Sequence, residues 1–428
     1  MAPTGRAAKV FSGYSKFPAS TIHRKIYRHS INGEIPGLKE NRDSNTVYIV
    51  DEASMIPSGW SSRNESSTAS AKGIGTTQGL GEFRTARSFG GGRSGGGNDL
   101  LADLLTYVFA GNNNRLIFVG DKAQLPPVGE NFSAAMDTAT LRSLGLKVSS
   151  VTLTRIVRQG PRTGVLANAV NIRREMHEFP DRIPSPMVEG FDDVFTVTSE
   201  DLPEVIDTAY RKEGIDNTII ITRSNRRAGE FNRAIRSQVL YYEEELVKDE
   251  PIMIVKNNYF WTKAENRRDI DFMANGDIFR VTRVIGTECK YGFRFADIEL
   301  VQLDSDNEPI EIQPIQVKIF LETLDNDAAT LSNDRLAQLY QNMLRTDYID
   351  CPNPIQALAN DPYWNALQAK YAYCVTCHKA QGGQWSNVIV DISYINPESV
   401  GQDLYRWMYT ATTRAINTLT YLVDRPTM

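Results

Sequence analysis

At 428 residues, with 41% hydrophobic and 9% aromatic side chains, the chain has the composition of an ordinary globular protein of two or three domains. Its net charge of −5 and pI near 5.6 exclude whole-protein electrostatics as the basis of nucleic-acid binding, so any such site has to be a local basic groove. The four cysteines (Cys289, Cys351, Cys374, Cys377) form no disulfide framework, which fits a reducing cytoplasm, and no apolar run approaches the ~18 residues of a membrane span.

Residues 1–33 hold six basic side chains and no acid, a transit-peptide composition, but Pro3, Gly5, Gly13 and Pro18 break up the amphipathic helix a transit peptide needs. Residues 1–56 read as loop, helix, a short excursion and a buried strand, TVYIVDEAS, that ends in acids. Residues 58–98 contain 8 Ser and 11 Gly in 41 positions, too few large apolar side chains to offset ordering entropy, and read as a disordered surface insertion. GIGTTQG inside it follows no strand and lacks a lysine, so it is no phosphate loop. Helical periodicity resumes at DLLADLLTYVFAG, followed by the strand RLIFVGD and a loop stiffened by Pro126 and Pro127. Residues 165–178 read as helix, 217–224 as a buried strand followed by a helix through Arg236, and about 276–330 as alternating strands of a small β-barrel. Residues 331–370 read as irregular helix, after which YAYCVTCHKAQG, VIVDI and LTYLV restart the strand–loop–helix rhythm. Strands alternating with helices on both sides of a β insertion predict an α/β fold with two parallel-sheet domains, the second interrupted.

Asp51 and Glu52 stand where a hydrophobic strand ends, the edge at which open α/β sheets place ligands. In a nucleoside triphosphatase the first acid holds Mg²⁺ and its neighbour orients or deprotonates the attacking water. Gln124, in GDKAQLPPVG, is a neutral amide placed to touch a γ-phosphate without competing for the metal. Arg158 in VRQ and Arg414 in YTATTRA are candidate arginine fingers, since phosphoryl transfer accumulates charge that a guanidinium stabilises. Thr4, Arg6, Thr21, Thr376, His378, Lys379 and Gln381 suit sequence-independent contacts to a nucleic-acid backbone, and His23 is a further candidate that serves equally well as a helix-start residue. Cys374-Val-Thr-Cys377-His378 has haem-attachment spacing, but it reads as a strand running into HKAQG and has no second C-x-x-C, so neither haem nor zinc is expected.

In order, APTGRAAK (2–9), IVDEAS (49–54), FVGDKAQLPPVG (118–129), LTRIVRQ (153–159), TCHKAQG (376–382) and YTATTRA (409–415) resemble the RecD/Dda-like branch of superfamily-1B helicases, which includes exonuclease V alpha subunits. The resemblance covers nearly the whole chain outside the glycine-rich insertion. It implies two RecA-like domains that bind ATP and Mg²⁺ in a cleft, single-stranded DNA across their tops, and 5′→3′ movement. It further implies a first domain at 1–150, a second at 151–275 and 371–428, and a Src-homology-3-like barrel with helices at 276–370. Residues 28–46 would be the strand-separating pin, and Gly382 and Gln384 nucleotide contacts, Gln384 replacing the glutamate that many members carry.

No Gly-Lys dipeptide occurs in the chain, so the G-x-x-x-x-G-K-[ST] loop that such motors need is absent from it. The sequence is accordingly expected to be N-terminally truncated, with ATP hydrolysis impaired as it stands. Two other readings are an ATP-independent module that holds single-stranded DNA, and the helicase subunit of a helicase–nuclease complex in DNA repair or recombination.

Overall fold

A computed structural model describes residues 1–28, 37–59, 99–154, 163–264, 272–303, 313–396, 398 and 400–423. Arg158, the tip of the expected pin and nearly all of the expected insertion lie outside the described residues. The chain packs as two compact units, the first holding Met1–Pro3, 11–28 and 37–154, the second Thr4–Val10 and 163–423. Helix α1 (Gly5–Ser15) is divided between them after Val10.

In the first unit, α2 (Ile22–Ile26), β1 (Val47–Val50), α3 (Leu100–Ala110), β2 (Arg115–Phe118) and α4 (Thr138–Ser143) follow in order. The two strands pair in parallel, Val47 opposite Arg115 through Val50 opposite Phe118. α3 begins where the Asp99 carboxylate accepts the Ala102 amide at 2.9 Å, and buries Leu100, Leu101, Leu104, Leu105 and Val108 against Tyr48, Val50, Ile22 and Ile26. The opposite face is bare: Val47, Ile49, Ile117 and Val119 are each between 40% and 52% exposed. Parallel sheets are normally covered on both faces, so this bare side is unusual. On the free edge of β1, Met1 adds one parallel rung, its nitrogen donating to Ile49 O at 2.7 Å and its carbonyl accepting the Asp51 amide at 2.9 Å. The arms of the expected pin meet as an antiparallel bridge, Tyr27 opposite Leu38, with the Arg28 amide on Gly37 O at 2.9 Å.

In the second unit a five-stranded parallel sheet has the order β10-β4-β11-β12-β3, formed by β3 (Val194–Val197), β4 (Thr218–Thr222), β10 (Cys374–Thr376), β11 (Trp385–Asp391) and β12 (Ala415–Leu422). All five residues of β4 are buried, as a β-branched strand flanked by neighbours on both edges should be. Helices α5 (Gly164–Glu178), α6 (Leu202–Glu213) and α7 (Asn225–Ala234) fall between the early strands. A second sheet, β8-β7-β6-β5-β9, is antiparallel and comprises β5 (Pro251–Ile254), β6 (Ile278–Lys290), β7 (Phe293–Gln302), β8 (Ile315–Phe320) and β9 (Ala369–Tyr371). Beyond the outer edge of β8, Ile319 makes one isolated parallel bridge to Leu367, two residues before β9, where the Phe320 amide donates to Leu367 O at 2.9 Å and the Leu367 amide to Lys318 O at 2.7 Å. β5, which precedes residue 276, is hydrogen-bonded into this sheet. Helix α8 (Asn333–Thr346) packs on Phe293, Phe295 and Phe320 at one end of it.

Residues Thr4–Val10 are fastened within the second unit by Asp277, a carboxylate only 3% exposed at the entrance to β6. Asp277 Oδ2 accepts from the Ala274 amide at 3.1 Å, Gln302 Nε2 at 3.1 Å and Lys9 Nζ at 3.4 Å. Gly5 lies so close to this turn that a Cβ there would sit 2.4 Å from Ala274 Cβ. The Arg6 pKa is lowered to about 10: burial, the largest influence, and the neighbouring Arg414 depress it, while Asp277 opposes them.

Two outcomes follow from this packing. A Cβ placed on Gly59 would lie 4.0 Å from that of Asp99, and the Leu101 amide bonds Pro57 O at 3.1 Å, so the segment between 59 and 99 leaves and returns at one spot. Replacing residues 60–98 with about six Gly and Ser residues is expected to hold or raise the melting temperature, since the shorter closure costs about 1–2 kcal/mol less; a marked drop in the melt would show that the segment packs. Removing the buried carboxylate in Asp277→Ala is expected to cost about 3–5 kcal/mol in urea titrations, because it strips the counter-charge from a buried arginine. Lys9→Ala, at a half-exposed partner, is expected to cost no more than about 1 kcal/mol.

Candidate nucleotide and nucleic-acid sites

In the first unit the acids lie at the carboxyl end of β1, in the place expected of them. The Val119 amide on Val50 O and the Ala53 amide on Val119 O, each 2.8 Å, carry the parallel pairing past the strand ends and fix the turn that holds Asp51 and Glu52. Glu52 takes a left-handed backbone (φ +50°), and its amide donates to Asp51 Oδ1 at 2.9 Å. A non-glycine residue in that region costs conformational energy and occurs where surrounding structure enforces it. Gly120, on the facing strand exit, leaves no room for a side chain: a Cβ would stand 3.0 Å from the Ser54 nitrogen and 3.1 Å from Met136 Sδ. Two buried oxygens here, Ser54 Oγ and Gln124 Oε1, have no hydrogen-bond partner. Buried polar atoms are seldom left so, and an all-oxygen set of Asp51, Glu52 and Gln124 suits a hard cation such as Mg²⁺. The phosphate-cradling half of a nucleotide site is a different matter, since the chain contains no G-x-x-x-x-G-K-[ST]. Among the described residues no cluster of three or more His, Cys, Asp or Glu side chains forms a self-sufficient metal site.

Arg6 is placed otherwise than a groove-lining contact. Its guanidinium lies 4.5 Å from the centre of the buried Trp385 ring, and Gly383 has no side chain to spare beneath it, since a Cβ there would stand 2.6 Å from Trp385 and 2.7 Å from Arg6 Cζ. Gly382, in a left-handed turn (φ +76°), lies against Ala7. Arg414 is only 3% exposed; its Nε donates to Thr410 O at 3.0 Å, one terminal nitrogen to Gly383 O at 3.3 Å and the other to Thr413 Oγ1 at 3.0 Å. The structure thus brings together Arg6, Gly382, Trp385 and Arg414 in the second unit, with Gln384 half-buried beside them, and Arg414 is held by backbone carbonyls rather than presented to solvent.

The hydroxyl candidates divide by local role. Thr4 Oγ1 accepts the Ala7 amide and Thr21 Oγ1 the Arg24 amide, each at 3.2 Å, so both are helix N-caps. Thr376, which opens α9 (Cys377–Ala380), makes no such bond. His23 is exposed, its ring 5.6 Å from that of Tyr27. Gln381 is buried, while Lys379 and His378 are half-buried. Burial, the larger effect, and the neighbouring Lys370 lower the Lys379 pKa to about 8, and its amine donates to Asn275 Oδ1. Burial also lowers the His378 pKa. The Cys374 and Cys377 thiols are both buried, which pushes their pKa values up, that of Cys377 to about 12.

Sequence reasoning missed one polar assembly. Asp391, ending β11, accepts from Arg227 Nε at 3.0 Å, Thr222 Oγ1 at 3.3 Å and Ser393 Oγ at 2.6 Å. The signal was available: VIVDI ends a buried run in an acid exactly as TVYIVDE does, and ITRSN follows the other buried strand.

Residues 371–420 match the UvrD-like helicase C-terminal domain family, the stretch that holds β10, α9, β11, α10 (Gln402–Thr412) and most of β12. No curated protein matches the chain. Among solved structures it is similar to two coordinating Pif1 helicases at forked double-stranded DNA, at 15% identity and TM-score 0.43, covering 98% of this chain and 80% of that one. It is similar also to a Bacteroides Pif1 helicase in complex with ADP-AlF3 and single-stranded DNA (15% identity, TM-score 0.42, covering 98% and 81%). A Pif1 helicase from Candida albicans stands at 16% identity and TM-score 0.36, covering 88% and 71%. These structural likenesses are distant and carry no argument by themselves.

Proposed function

We propose that this is the motor chain of an ATP-dependent DNA helicase that tracks along single-stranded DNA in the 5′→3′ direction, with hydrolysis impaired in the 428 residues as they stand. The observation that carries the reading is the match of residues 371–420 to a UvrD-like helicase C-terminal domain, on the stretch that contains HKAQG and YTATTRA. Bound ATP with Mg²⁺ would supply the phosphoryl chemistry. Asp51 would hold the metal, Glu52 would orient water, and Gln124 offers its unpaired oxygen as the sensor. Arg158 and Arg414 would be the guanidinium donors, Arg414 after release from its carbonyls. Our reading of the organisation is a first domain through residue 150, a second at 151–275 and 371–428, and a Src-homology-3-like barrel between them. A nuclease partner in repair or recombination would have to bring its own cutting site.

The second reading, a module that holds single-stranded DNA without hydrolysis, is favoured by one observation, the absence of any Gly-Lys dipeptide. DNA-stimulated phosphate release by the chain joined to a segment that carries a G-x-x-x-x-G-K-[ST] loop separates the two: turnover that Glu52→Gln abolishes supports the motor, and no turnover beside tight DNA binding supports the module.

Both readings require DNA at Thr376, His378 and Lys379. Thr376→Val with Lys379→Ala is expected to weaken single-stranded DNA of every sequence alike and to shallow the dependence of log K on log salt by about one. Unchanged affinity would remove DNA from this loop. A phosphate beside Lys379 favours its protonated form, so affinity is expected to fall as pH rises through about 8, where that amine loses its charge. Titration of binding between pH 7 and 9 reads this directly, and Lys379→Ala should flatten the profile.

A further inference from the structure

Three strands end side by side at the carboxyl edge of the parallel sheet in the second unit. Thr376 of β10 is opposite Thr222 of β4, and Val390 of β11 opposite Ile221, which sets Asp391 beside Thr222. Open parallel sheets bind ligands along this edge. The turn that leaves β11 is held firmly: Asp391 Oδ1 accepts both the Ser393 amide at 3.2 Å and Ser393 Oγ at 2.6 Å, while Arg227 bridges Asp391 at 3.0 Å and Ser393 Oγ at 3.4 Å. Arg227 is itself fixed, its guanidinium 4.4 Å from the Phe231 ring centre. Directly after this braced turn stands Tyr394, 83% exposed.

A single exposed aromatic needs no explanation by itself. Tyr394 differs in its setting, because it directly follows a turn that Asp391, Ser393 and Arg227 brace, and a preformed turn lowers the ordering cost of binding. The neighbouring exit, from β4, carries exposed Arg223, whose guanidinium is 5.8 Å from the Trp407 ring centre. Ser224 follows and caps α7, a helix of 10 residues, by accepting the Arg227 amide at 3.1 Å. A helix N-terminus beside an arginine attracts phosphate, and adjacent strands lie about 4.8 Å apart. An aromatic face and a phosphate-binding corner therefore sit on neighbouring strand exits, which is the pairing a single-stranded nucleic acid requires.

We infer that Tyr394 is a base-stacking platform for single-stranded nucleic acid, with Arg223 taking an adjoining phosphate. The inference rests on the DNA-binding reading above and names contacts that reading does not contain. The test measures anisotropy of a labelled homothymidine oligonucleotide, and of an abasic oligonucleotide of equal length, with the full chain. Tyr394→Ala is expected to weaken the thymidine oligonucleotide about tenfold, to leave the abasic one unchanged, and to leave the salt dependence unchanged. Tyr394→Phe keeps the ring and is expected to keep the tighter binding. Arg223→Ala is expected to weaken both oligonucleotides and to reduce the salt slope by about one. Equal loss on both oligonucleotides in Tyr394→Ala, or no loss on either, overturns the stacking role while DNA binding stands. If the unaltered chain binds neither oligonucleotide, the DNA-binding reading falls and the stacking role with it.

Discussion

Asp277 sits almost wholly out of water and takes hydrogen bonds from a backbone amide, a glutamine and a lysine, with a buried arginine close by. An isolated carboxylate in that position would be prohibitively costly. Its partners come from Thr4–Val10, from the turn before β6 and from the end of β7, so one charge specifies how three remote pieces of sequence assemble. The Arg6 stack on Trp385, the bare backbone at Gly382 and Gly383, and the place of Arg414 all lie next to that anchorage. Strings that look like independent motifs are, in the second unit, parts of one packed arrangement.

Much of the fold was legible in the sequence because the strongest signals are local. The run TIIIT can only be a strand buried on both faces, and the apolar spacing of LLADLLTYVFA behind Asp99 can only be a capped amphipathic helix. β5 was harder, because PIMI is a short apolar run that reads equally well as a parallel or an antiparallel strand. Which sheet it joins is decided by long-range pairing with β6 and β9, and no local pattern reports that. For the candidate site the division is similar: Asp51 and Glu52 directly follow β1 and Gln124 stands in the turn beyond β2, whereas the burial of Arg6 and Arg414 depends on glycines and a tryptophan far away in the chain.

Asp51 and Asp391 show how one sequence pattern serves two ends. Both close a hydrophobic parallel strand. Asp391 is enclosed by Arg227, Thr222 and Ser393 and acts as a brace for the turn that follows. Asp51 accepts its neighbour's amide and stands in a turn held by backbone bonds, three residues before Ser54, whose hydroxyl oxygen has no protein partner. An acid whose bonding capacity is filled by protein groups is structural; one in a turn with unfilled acceptors retains room for a ligand.

The bare side of the β1–β2 pair bears on how the molecule behaves in a tube. Four aliphatic side chains line one face of this parallel pair, and among the described residues Met1 bonds the outer edge of β1. Such a surface is apolar apart from exposed Arg115, which stands opposite Val47. Apolar faces of this kind favour association with another apolar surface, more so in sulfate or phosphate, which strengthen apolar contact. Val47 and Ile49 of that face stand on the same strand whose end carries Asp51 and Glu52, so the apolar face and the polar candidates are neighbours along β1.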